Sequence, residues 1–157
     1  MSFELAPFSL PEDYGDSVIP LAAAKAQLRV RHSDEDDFIG ILRDASVQMV
    51  EQYCSVRLAP CEGLLWKADK LPPRLTLGMG PATEITGFAW LDGAGTRQTG
   101  DPATLRIGPH NTVVPQPGQS WPGDIAAGIE IEFTAGFAAG TAPLALVQAA
   151  KLFLGHL

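Results

Sequence analysis

The longest periodic signal lies between residues 34 and 55. Phe38, Ile39, Leu42, Ala45, Met49, Val50 and Tyr53 recur along one stripe, at the spacing of a helix face. Arg43, Asp44, Gln48 and Glu51 fall mostly on the other side. The pattern predicts a helix over about 34–55, roughly 30 Å long. A rod of that length in a small chain implies a helical layer packed against something else. Upstream, Pro20 introduces LAAAKAQLRV. Proline suits a first helical turn, and Ala, Leu, Lys, Gln and Arg favour helix, so a short helix is expected over about 20–29.

Between residues 63 and 134 the period shortens to two. GLLWKA, PRLTLG, TEITGFAWL, ATLRI and NTVVP are short strand-like runs separated by Gly, Pro, Asp and Asn. LDGAGT reads as a hairpin loop. In GIEIEFTAGF, Ile129, Ile131 and Phe133 alternate with Glu130 and Glu132, which describes a strand with one buried and one wet face. APLALVQAAKLFLGHL opens with Pro143 and predicts a last helix over about 143–157. Its polar breaks are Gln148, Lys151 and His156. A helix with so little polar surface must be covered on most sides, by its own chain or by another subunit. Leu152, Phe153 and Leu157 are its candidate assembly residues. The expected fold is α+β: two N-terminal helices (one long), a β-rich middle of short, mostly antiparallel strands, and one C-terminal helix. These form a single domain over 19–157. Residues 1–18, rich in Pro, Ser and acids, are expected to be an extended arm that a partner would order.

Composition narrows the function. A chain of 157 residues, 46% apolar and 18% charged, is long enough for one domain with its own core. No apolar run reaches the roughly 18 residues of a membrane span. MSFELAPFSLPEDYGD has neither a basic start nor an apolar run, so secretion by a signal peptide is not expected. The formal net charge is −7, and residues 1–37 hold eight acids against Lys25, Arg29 and Arg31. With no basic patch to neutralise phosphates, affinity for nucleic acid is not expected.

The densest charge is Asp34, Glu35, Asp36 and Asp37. A calcium loop needs alternating acids, a glycine and a distal glutamate, and that spacing fails here. A helical metal site would want Glu/His pairs at i, i+3 or i+4 from facing helices, and no histidine accompanies these acids on the helix. The acids read instead as a helix start, with Ser33 capping and Asp36 three residues on, at the positive end of the helix dipole. Asp34, Glu35 and Asp37 remain candidates for a surface role. His32, His110 and His156 are scattered, with no GxSxG or HExxH around any nucleophile or metal. Cys54 and Cys61 do not form a CxxC pair and read as reduced thiols. LGMGP at 77–81 lacks the phosphate-loop lysine and reads as a turn. Trp66, Trp90 and Trp121 would stack a ligand if exposed, but their strand positions favour packing. No catalytic, cofactor-binding or metal residue emerges, so an assembly component is expected rather than an enzyme.

The order of elements carries more than any single motif. Lys25, Leu28 and Arg29 in the first helix, Asp37, Ile39 and Ala45 in the second, Glu51 after them, then Trp121-Pro122 and Thr134-Ala135-Gly136 follow one another. From about Ile19 to Leu157 this arrangement resembles the head–tail connector (adaptor) proteins of tailed bacteriophages and gene transfer agents. The resemblance implies a structural ring, commonly a dodecamer, that docks on the portal protein, offers a platform to stopper or tail proteins, and lets DNA pass through its centre without specific binding. It implies no catalysis, no cofactor and no membrane. It also implies assembly in the host bacterial cytoplasm followed by residence in the particle neck. Members of that family usually continue beyond the last helix into a polar tail, whereas this sequence stops at Leu157. Under this reading Asp34, Glu35 and Asp37 lie near the lumen or at a subunit edge. Two other readings fit the absence of an active site: another neck or tail-completion protein, or a small β-rich ligand-binding module built on the tryptophans.

Overall fold

A computed structural model describes residues 3–6 and 9–157. The fold is α+β, as the pattern predicts, and its contacts form two compact units. One contains the described N-terminal residues up to 6 and Cys61–Ala135; the other contains Ser9–Pro60 and Gly136–Leu157.

The helical unit holds α1 (Tyr14–Val18), α2 (Leu21–Leu28), α3 (Asp36–Cys54) and α4 (Leu144–His156). Residues 14–18 are therefore helical where an extended arm was expected, because Tyr14 and Gly15 are buried and Ile19 is fully enclosed. Pro7 and Phe8 of that arm, with Met1 and Ser2, lie outside the described residues. Helix α2 begins just after Pro20, and the Asp16 carboxylate accepts from the Leu21 N–H at 2.9 Å. It stops at Arg29, whose φ of 58° is left-handed. Ser55 closes α3 the same way, at φ 55°, and its N–H reaches the Glu51 carbonyl. A residue in this conformation cannot continue a right-handed helix. The core of this unit takes Ala24 from α2, Ile39, Val47 and Val50 from α3, and Ala150 and Leu154 from α4.

The second unit is built on an antiparallel five-stranded sheet in the order β1-β2-β8-β4-β5. The strands are β1 (Glu4–Leu5), β2 (Cys61–Ala68), β4 (Ala82–Leu91), β5 (Arg97–Thr99) and β8 (Ala127–Ala135), with β3 (Leu75–Thr76), β6 (Leu105–Gly108) and β7 (Thr112–Pro115) outside it. These last three form a separate sheet in the order β3-β7-β6. Strand β8 runs down the middle of the large sheet and alternates as its sequence predicts. Ile129, Ile131 and Phe133 are fully buried, and Trp66 and Phe88 pair with Ile131 from either side. Glu130 faces the other way, with the Arg97 guanidinium 3.1 Å from it. The hairpin over Asp92–Thr96 forms where LDGAGT predicts, and Asp92 accepts from the Ala94 and Thr96 N–H groups at 2.9 and 3.0 Å.

Candidate functional site

Helix α3 is pinned by two polar clusters within its own unit. Arg43 is almost wholly buried, with Nη1 3.0 Å from the Asp16 carboxylate and Nε 3.0 Å from Asp44. Glu51 is 1% exposed; it accepts from the Leu58 N–H at 2.8 Å and from the Tyr14 hydroxyl, and Arg57 Nη1 lies 3.4 Å away. Burial first, and then the hydrogen bond and charge of Glu51, push the Tyr14 phenol well above its ordinary range. A buried carboxylate persists because its oxygens are satisfied in this way.

These clusters rotate α3 away from the face its sequence suggests. Arg43 and Glu51 point inward with Ile39, Val47 and Val50. Phe38, Met49 and Tyr53, expected in the buried stripe, are 58%, 42% and 91% exposed. Ile41 joins them at 65%. Positions 38, 41, 45, 49 and 53 share one side of a helix, so α3 presents an outward apolar stripe about four turns long. Apolar residues at 41 and 47, outside the single expected stripe, are the sequence signal for a second face.

The acids open this helix differently from expectation. Ser33 makes no side-chain cap, and the residue before the helix is Glu35. Asp36 turns instead to Lys25 on α2, 2.8 Å away, and that ion pair takes the place of the capping box. Asp34, Glu35 and Asp37 are exposed, and the His32 Nδ1 lies 3.8 Å from Asp34. On α4, Leu152 and Phe153 are 61% and 40% exposed, as is Leu157 just after it at 54%, although Leu154 between them is buried.

The sheet unit offers one further surface that the sequence did not mark. Beside β3 and β7, a groove of about 260 Å³ is lined by Pro72, Pro73, Arg74, Val114 and Trp121 among others. Arg106 is the cross-strand partner of Val114 and is exposed; directly opposed residues share a face. Neither Arg74 nor Arg106 has an ion-pair partner among the described residues.

The remaining candidates are structural. Trp66 and Trp90 are buried and donate to the Thr76 carbonyl at 3.1 Å and to Asp124 at 3.2 Å. Trp121 packs edge-on against Phe88, with ring centroids 5.7 Å apart. Gly78 turns LGMGP with φ +75°. His110 sits in a left-handed turn and His156 in the last turn of α4. Cys54 is exposed and Cys61 buried, both without a disulfide. Among the described residues, no three His, Cys, Asp or Glu side chains gather to hold a metal, and no helix is long and apolar enough to cross a membrane.

No protein-family model matches the sequence, and no curated protein does. Solved structures do. A chain in the neck of an empty gene transfer agent particle, computed with C6 symmetry, superposes with a TM-score of 0.72 at 21% identity, over 99% of this chain and 83% of that one. The present chain shares its fold. A chain from the virion of the native gene transfer agent particle gives 0.69 at 23% identity, covering 99% and 83% of the two chains. The neck of the native particle with C12 symmetry gives 0.69 at 22%, covering 99% and 82%. The order of elements that suggested a connector is thus the order of the fold shared with that neck chain.

Proposed function

We propose that this chain is a structural subunit of a particle neck, forming a ring adaptor between portal and tail through which DNA passes. The observation that carries the reading is the match over nearly the whole chain to a neck chain of a symmetric particle. The surfaces fit it. A neck subunit needs apolar area for its neighbours, and α3 and α4 leave Phe38, Ile41, Tyr53, Leu152, Phe153 and Leu157 in the open. Scattered exposed apolar side chains are ordinary, whereas a stripe along a helix marks an interface. In this reading Leu152, Phe153 and Leu157 meet another chain or the portal. Asp34, Glu35 and Asp37 lie at the lumen or a subunit edge, and a net charge of −7 keeps passing DNA unbound. The subunit is made in the host cytoplasm, ends in the neck and performs no catalysis. A ligand-binding platform is disfavoured because Trp66 and Trp90 are spent inside the core.

The test is sedimentation of the purified chain with portal rings, followed by imaging of particles that carry a tagged copy. The expected result is co-sedimentation and a tag density at the neck with cyclic symmetry. Particles that keep an intact, tailed neck when the gene is deleted would overturn the reading.

A further inference from the structure

We propose that neighbouring copies of this chain meet head to tail, the acid-tipped apolar stripe of α3 on one copy seating in the Arg74/Val114/Trp121 groove of the next. The inference rests on the neck reading and names the partner of the α3 surface as a second copy of the chain.

Two different patches carry complementary chemistry. Helix α3 offers Phe38, Ile41, Met49 and Tyr53 along one side. Asp34 and Glu35 just before the helix and Asp37 in its first turn have no lysine or arginine partner among the described residues. The groove offers an apolar floor from Val114, Trp121 and the Pro72-Pro73 pair. Two arginines without ion-pair partners among the described residues, Arg74 and Arg106, flank Val114. An apolar helix ending in carboxylates matches both properties at once. Packing α3 on α3 would bury the apolar stripe but leave the carboxylates and the arginines unneutralised. Because the two patches differ, the contact is heterologous, and a heterologous contact that closes generates a ring. The C6 and C12 symmetries of the neck chains with this fold are of that cyclic type. The acids therefore belong to the subunit edge rather than the lumen.

Chains with one exposed cysteine, the buried Cys61 being kept, test the geometry. F38C and V114C are made separately in a Cys54→Ser background, mixed, and oxidised mildly across a concentration series. The expected result is a mixed F38C–V114C dimer, no dimer from either alone, and a ladder of multimers from the doubly substituted chain. Where V114C lowers the melting temperature, Arg106→Cys replaces it at an exposed position on the same face. Arg74→Glu with Arg106→Glu should cut the cross-link yield roughly tenfold, and adding Asp34→Arg with Asp37→Arg to the F38C partner should restore it. Dimers from F38C alone, or folded chains that never form the mixed cross-link, would overturn the proposal. Capture by portal rings without the cross-link refutes this interface and leaves the neck reading standing; the cross-link without capture does the reverse.

Discussion

Glu51 and Tyr14 show how much a single residue decides here. The Glu51 carboxylate ties α1 and the turn at Leu58 to the last turns of α3. Glu51→Ala leaves the Leu58 N–H buried without an acceptor and the Tyr14 hydroxyl with only the Ala59 carbonyl at 3.5 Å, and should cost about 3 kcal/mol in urea unfolding. Tyr14 gives a pH signature. Its folded phenol holds its proton more tightly than an unfolded tyrosine, which ionises near pH 10. Below that pH the contribution is fully present. Above it the unfolded chain sheds a proton that the folded one keeps, so stability falls by up to about 1.4 kcal/mol per pH unit. Tyr14→Phe should be less stable at neutral pH and should lose this component of the alkaline decline, as melting curves from pH 8 to 11 would show. Gly136 is the third such residue. Its φ is +120°, and a Cβ there would lie 2.0 Å from the Ala59 carbonyl oxygen. Gly136→Ala should cost roughly 2–5 kcal/mol. Gly95→Ala, at φ +79° with open space around it, should cost about 1 kcal/mol.

At the scale of elements, α3 separates stability from assembly. Ile39→Ala empties a core position and should cost about 2–5 kcal/mol. Phe38→Ser, one residue away and 58% exposed, should stay within about 0.5 kcal/mol of wild type yet weaken self-association. Paired urea titrations and sedimentation runs distinguish the two. Phe153→Asp on α4 should likewise leave the melting temperature nearly unchanged while attachment to portal rings is lost; a large drop in stability instead would make that residue plain core. What the sequence showed of these elements follows from what is local. The existence and extent of α2, α3, β8 and α4 were legible because period and proline placement are properties of a short stretch. The buried face of α3 was not, because it depends on Asp16 and Tyr14, which satisfy Arg43 and Glu51 from other parts of the chain. Ser33 and Asp36 had the spacing of a capping box, but Lys25 competes for the Asp36 carboxylate from a neighbouring helix. The groove at Arg74 and Arg106 was hidden for the same reason: strand register, not sequence proximity, brings Val114 between them.

For the whole molecule, four of the residues that carried the family resemblance are joints of the fold. Lys25 holds Asp36, Arg29 ends α2, Glu51 anchors α3 and Gly136 packs on Ala59. The chain leaves the helical unit after Pro60 and re-enters it at Gly136. There the two ends nearly touch: the Phe137 N–H donates to the Arg57 carbonyl at 3.2 Å, and Cys61 pairs with Ala135. Replacing residues 61–135 with a short Gly-Ser linker should therefore give a helical protein that melts cooperatively by circular dichroism. Lacking the groove, it should remain monomeric. A chain without cooperative melting would show that the helices need the sheet to fold.

That re-entry also sets an order of events during synthesis. Helix α4 completes the helical core but is translated only after the whole sheet. A ribosome adding about 5–20 residues per second spends roughly 4–15 s on the intervening stretch. Through that interval Ile39, Val47 and Val50 have no α4 to cover them, while the sheet can close as soon as β8 emerges. The N-terminal helices thus become native after the sheet that follows them. Arrested nascent chains ending shortly after β8 clears the exit tunnel should resist protease in the sheet and be cut in α2 and α3.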